Sequence, residues 1–79
     1  MYFVYIIKSR KNDRFYIGSA QDVKERLRQH ERGKTRSLKN KGPFDIIRIE
    51  EFETRTEAFS RERQIKRYKG GQAFKKLIA

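Results

Sequence analysis

Tyr2 to Ile7, six consecutive apolar or aromatic residues, constrain the fold of this chain more than any other feature. Ring and β-branched side chains dominate the run, so it reads as a strand. It lacks the alternation of a half-exposed strand, so both of its faces should be buried and it should lie centrally in its sheet.

The rest of the chain supplies what such a strand needs. Ser9-Arg10-Lys11-Asn12-Asp13 is a polar turn, after which Phe15-Tyr16-Ile17 resumes an extended pattern that Gly18 is expected to end. Two short strands around a polar turn make an antiparallel hairpin. Asp22 or Ser19 can cap the next segment, in which Val23, Leu27 and His30 recur at i, i+4 and i+7, the stripe of an amphipathic helix with Gly33 as its stop. Gly33 to Pro43 is a long, basic loop, and loops of that length in small domains are usually functional. Phe44 to Phe52 reads as a third strand with one wetter face. Thr54-Arg55-Thr56-Glu57 fits a capping box opening a second helix, which should run to Gly70-Gly71. Phe74, Leu77 and Ile78 mark a short last helix. The expected fold class is α+β: one domain over residues 1–79, a small three-stranded antiparallel sheet flanked by helices in the order β-β-α-β-α-α.

Composition narrows the function. With 79 residues the chain has one thin core, and with no cysteine it has neither disulfides nor a cysteine-based zinc site. That fits a reducing compartment, so the cytoplasm is the expected location. No apolar run approaches the roughly 18 residues of a membrane span, and Met1 to Ile7 lacks the basic start of a signal peptide. The formal net charge is +11, the footprint of a protein that meets a polyanion, most often nucleic acid. Residues 24–42 and 61–79 each carry a net +6, whereas residues 45–57 carry a net −3. This alternation suggests a molecule with one side facing phosphates and another turned away.

Against that charge, Glu62 stands out. On the second helix it falls between Ala58 and Ile65, four before and three after, the two best candidates for core contact. An inward carboxylate is rarely left unpaired, because desolvating a lone charge costs several kcal/mol or more. Glu62 is therefore a candidate metal ligand or active-site centre; the plainer alternative is a structural ion pair with a nearby arginine. Arg26 lies three after Val23 and four before His30, which puts it on the core side of its helix or at the edge. There it can hold an anion, or simply snorkel to water. His30, the single histidine, is a base, a ligand or a hydrogen-bonded core residue. Tyr5 and Tyr16 should sit almost opposite one another if the hairpin turns near Lys11, facing one pocket or packing in the core.

Together these residues resemble the GIY-YIG nuclease family over nearly the whole chain. The second half of the signature stands as Tyr16-Ile17-Gly18; the first aligns with Phe3-Val4-Tyr5, with Phe3 in place of its glycine. The family's arginine falls on Arg26, its histidine on His30, and its metal-binding glutamate on Glu62, within an Ala-x-x-x-Glu-x-x-Ile-Lys pattern given by Ala58, Glu62, Ile65 and Lys66. The short chain resembles the small stand-alone bacterial branch, similar to the nuclease module of the excision-repair C subunit and to homing endonucleases.

The resemblance implies hydrolysis of DNA phosphodiesters, on branched or damaged structures. Glu62 would hold one divalent ion, magnesium or manganese; Arg26 would clamp the phosphoryl oxygens; Tyr5 or Tyr16 would accept a proton from water; His30 would orient a phosphate or a tyrosine. Lys34, Arg36, Lys39 and Lys41 would contact the backbone of DNA, the expected partner in preference to RNA. A monomer is assumed. The alternatives are a nucleic-acid-binding module with little chemistry, and a basic protein that docks on an acidic partner.

Overall fold

The computed structural model describes residues 1–31 and 42–79. Strands β1 (Tyr2–Ser9), β2 (Phe15–Ala20) and β3 (Phe44–Phe52) and helices α1 (Val23–Glu31), α2 (Arg55–Tyr68) and α3 (Gln72–Ile78) follow one another in the order β-β-α-β-α-α. The sheet is antiparallel throughout, with strand order β2-β1-β3, so the apolar first strand is central.

The two faces of β1 bury different partners. Val4 and Ile6 pack with Ala58 and Ile65 of α2 and Phe74 of α3. Tyr5 and Ile7 pack with Val23 of α1 and with Phe44. Successive side chains of a strand point to opposite faces, so an unbroken apolar run requires this two-sided cover. Among the described residues no helix is long and apolar enough to cross a membrane.

The first turn departs from the expected geometry, with consequences for the site. The buried Ser9 hydroxyl accepts from the Lys11 and Asn12 N–H groups at 3.1 and 3.3 Å, and Asp13 turns the chain through a left-handed conformation at φ 59°. The register that follows pairs Tyr5 with Gly18 and Ile7 with Tyr16. Tyr5 and Tyr16 therefore share a face but are not opposite, being two residues out of step. Gly18 does not end β2; it lies inside it.

The capping signals resolve cleanly. Asp22 rather than Ser19 caps α1, its carboxylate accepting from the Glu25 N–H at 3.0 Å. Thr54 caps α2, accepting from the Glu57 N–H at 3.2 Å and donating to the Glu57 carboxylate at 2.9 Å. The helix closes through left-handed Lys69 and Gly70. In β3 a bulge sets Ile47 out of register, and Ile46, Ile47 and Ile49 are each more than a third exposed. The expected wetter face thus carries isoleucines. Two of the five acids of residues 45–57 are in ion pairs: Asp45 with Arg10, and Glu50 with Arg61 and Arg48.

Candidate active site

Tyr5 is buried, and its ring lies across the edge strand at Gly18. A Cβ on Gly18 would collide with the Tyr5 hydroxyl and come within 2.6 Å of Cζ. A glycine is required here by close approach of a side chain, not by backbone angle. The Tyr5 hydroxyl then reaches His30 Nε2 at 2.9 Å.

The Arg26 charge acts on that same hydroxyl and favours its ionised form. A neutral imidazole with Nε2 unprotonated accepts from the Tyr5 hydroxyl, and in that tautomer the phenolic proton points at His30. Burial, and secondarily the Arg26 charge, push the His30 pKa below its ordinary value, so the imidazole favours the neutral form that can accept this proton. Burial is also the largest influence on Tyr5 and raises its pKa; Arg26 opposes the rise and Glu62 adds to it. A phenolate base at neutral pH would need this pKa lowered. Arg26 does pull in that direction, but desolvation outweighs it, and Tyr5 is a neutral phenol.

Glu62 comes from α2, on the opposite face of the sheet from Tyr5. Its side chain is 14 % exposed and pairs with Lys66 Nζ at 2.6 Å. Its charge nonetheless reaches Tyr5. The Glu62 partner is thus a lysine one turn along the same helix, not an arginine. Among the described residues no group of three or more His, Cys, Asp or Glu side chains is placed to hold a metal ion. A single carboxylate suits magnesium, which keeps several waters and takes further oxygens from a phosphate. It does not suit a metal that demands a full protein ligand set.

Tyr16 stands apart. Its hydroxyl accepts from Asn12 Nδ2 at 3.2 Å, and its ring meets Phe44 edge-on at 6.0 Å. Phe44 in turn meets the His30 ring at 6.4 Å, so an apolar ring links Tyr16 to the Tyr5–His30 pair. Arg26 is exposed, lying at the edge of its helix and not on the core side. Lys34, Arg36, Lys39 and Lys41, with the Gly33 stop, lie outside the described residues.

A hollow of about 400 Å3 opens beside this group, bordered by Ser19 and Ala20 of β2, Arg26 of α1, and Arg55, Ala58 and Phe59 of α2. Arg55 and Phe59 were not singled out in the sequence. The available signal was an aromatic residue on the charged face of a helix, three residues before Glu62.

Comparison with known proteins places the chain in a family. The family model described as the GIY-YIG catalytic domain matches residues 1–75. The UPF0213 protein of Staphylococcus aureus strain Mu3 is 38 % identical over 68 residues, covering 85 % of this chain and 82 % of that protein. The UPF0213 proteins of strains Mu50 and N315 give the same figures. No solved structure matches the chain significantly. The two-sided fold, the glycine that admits Tyr5, and the full-length match lead to one assignment: the chain belongs to the GIY-YIG family of nucleases.

Proposed function

We propose that this protein is a metal-dependent endonuclease that hydrolyses DNA phosphodiester bonds, with branched or damaged DNA as its substrate. One observation carries the reading: a single buried phenol, Tyr5, is hydrogen-bonded to a neutral imidazole and lies within reach of the Arg26 and Glu62 charges.

Each group has a chemical task. Arg26, exposed beside the hollow, clamps the phosphoryl oxygens as negative charge builds on them. Tyr5 is the proton acceptor, but not as a phenolate. As its oxygen takes a proton from the attacking water, its own proton passes to His30 Nε2, which becomes imidazolium. Neither residue needs to ionise beforehand. Tyr16 holds Phe44 against His30 and so keeps the imidazole in place. Glu62 would hold one divalent ion, which would polarise the phosphate and stabilise the leaving oxygen. The basic residues Lys34, Arg36, Lys39 and Lys41 contribute contacts to the DNA backbone without sequence preference.

The second reading, a binding module with little chemistry, draws on the Lys66 ion pair, which satisfies Glu62 without a metal. Incubation with plasmid and branched DNA in magnesium or manganese separates the two. The expected result is nicking by the wild type, and binding without nicking by Arg26→Ala and Glu62→Gln. A wild type that binds in a salt-sensitive way yet nicks nothing hands the case to the second reading. The relay adds a pH signature: nicking should fall as the pH drops through the depressed His30 pKa, where the imidazole is already protonated and cannot accept.

A further inference from the structure

The outer face of α2 carries a second basic surface that none of these roles uses. Arg55, Thr56, Phe59, Ser60, Arg63, Gln64 and Arg67 line one shallow exposed groove. Arg55, Phe59, Arg63 and Arg67 follow one another at intervals of four, so they form a row along about 18 Å of helix. No acid belongs to the row. Arg10, Arg28, Arg48 and Arg61 each pair with a carboxylate, whereas no ion pair among the described residues engages Arg55, Arg63 or Arg67. Phe59 is 54 % exposed in the middle of these charges.

The row runs into the candidate site. Arg55 and Phe59 also border the hollow that Arg26 borders. Phe59 is a helical neighbour of Glu62 at i, i+3.

We propose that this face is the track for one strand of the nucleic-acid substrate: Arg55, Arg63 and Arg67 hold successive phosphates, and Phe59 stacks against an unpaired base next to the phosphate that is cut. An unpartnered row of guanidinium groups matches a phosphate backbone in charge. An exposed ring among them matches a base face, which is available only where the base is unpaired. The substrate class is therefore nucleic acid with a single-stranded stretch entering the site, such as a flap or a frayed end. This rests on the nuclease reading for its substrate, but not on catalysis.

The test is binding without divalent ions, across a salt series, to a single strand, a duplex with an unpaired tail, and a blunt duplex. Arg55→Gln, Arg63→Gln and Arg67→Gln should each reduce the slope of log affinity against log salt by about 0.7 to 0.9. Phe59→Ala should leave that slope unchanged and weaken binding roughly tenfold for the single strand and the tailed duplex, with little change for the blunt duplex. A fluorescent base analogue at the unpaired position should be quenched by the wild type and not by Phe59→Ala. All four side chains lie on an exposed groove, and thermal melts confirm that each variant is folded. Unchanged salt slopes, or a Phe59→Ala loss equal on paired and unpaired substrates, would overturn the proposal. Loss of nicking with the track effects intact would sink only the catalytic reading; nicking that persists with unaltered slopes would sink only the track.

Discussion

Glu50 and Glu62 are equally withdrawn from water, with side chains 16 % and 14 % exposed, yet the chain commits them to different ends. Glu50 projects from β3 and is gripped from two elements: Arg61 of α2 donates to both of its oxygens at 2.7 and 3.1 Å, and Arg48 of its own strand donates at 2.7 Å. Among the described residues Glu62 pairs with the half-exposed Lys66 alone, on a flexible stem of the same helix. A carboxylate held by two guanidinium forks joins a helix to a sheet. A carboxylate held by one mobile ammonium can exchange it for another cation. Burial alone does not separate a structural acid from a reactive one; the origin and rigidity of its partners do.

The largest effect that tests this contrast is on activity. Glu62→Gln keeps shape and removes charge, and should lower nicking on the order of a hundredfold or more, since a bound divalent ion supplies several kcal/mol. Its melting temperature should barely move. A variant that unfolds instead would make Glu62 a structural residue like Glu50 and remove the contrast.

Gly18→Ala should come next. The new methyl group has to displace the Tyr5 ring from its bond to His30, so a loss of about 1–3 kcal/mol in stability is expected from overpacking. Nicking should fall further than the folded fraction does. Equal losses of fold and activity would mean that the position of Tyr5 matters only to packing.

Glu50→Gln should cost about 1–2 kcal/mol, less than the 3–5 of a fully buried pair, because Arg48 is 42 % exposed. Arg61, then Arg48, hold the Glu50 carboxyl below its ordinary pKa of 4.5, against the opposing effect of burial. A carboxyl whose folded pKa is depressed contributes its stability above the unfolded value and loses it as the pH falls through the folded one. Chemical denaturation should therefore show the Glu50→Gln deficit in full near neutral pH and a shrinking deficit below about pH 4. A deficit that stays constant into acid would assign the effect to packing.

Much of this fold was legible in the chain because hydrophobic period and capping chemistry are local. The apolar run placed β1 centrally, and the Phe44 to Phe52 pattern and the Thr54 cap placed β3 and α2. Register was not legible. It depends on how many residues the Ser9 hydroxyl and the left-handed Asp13 enclose in the turn, and two further residues there moved Tyr16 away from Tyr5 and hid the role of Gly18. The exposure of Ile46, Ile47 and Ile49 was hidden for a similar reason, since a bulge is set by pairing across strands. At the candidate site, helical spacing pointed to Glu62 and His30 on inward faces and to Arg26 beside them. The protonation pattern could not be read in the same way: whether burial or Arg26 dominates at Tyr5 is a balance of three-dimensional distances.

The smallest expected effect bears on the interchangeability of the Glu62 partner. Lys66→Met keeps the stem and removes the ammonium; Lys66 is half-exposed but Glu62 is only 14 % exposed, so stability should fall by about 1 kcal/mol, more than the roughly 0.3–0.5 of an exposed i, i+4 pair. If the lysine stands in for a cation at Glu62, the magnesium concentration needed for half-maximal nicking should fall a few-fold, because the competing charge is gone. The opposite result is equally informative. A rise in that concentration, or weaker nicking at saturating magnesium, would mean that Lys66 itself meets the phosphate. Glu62 would then be the anchor of a cationic pair, closer in kind to Glu50 than to a metal ligand.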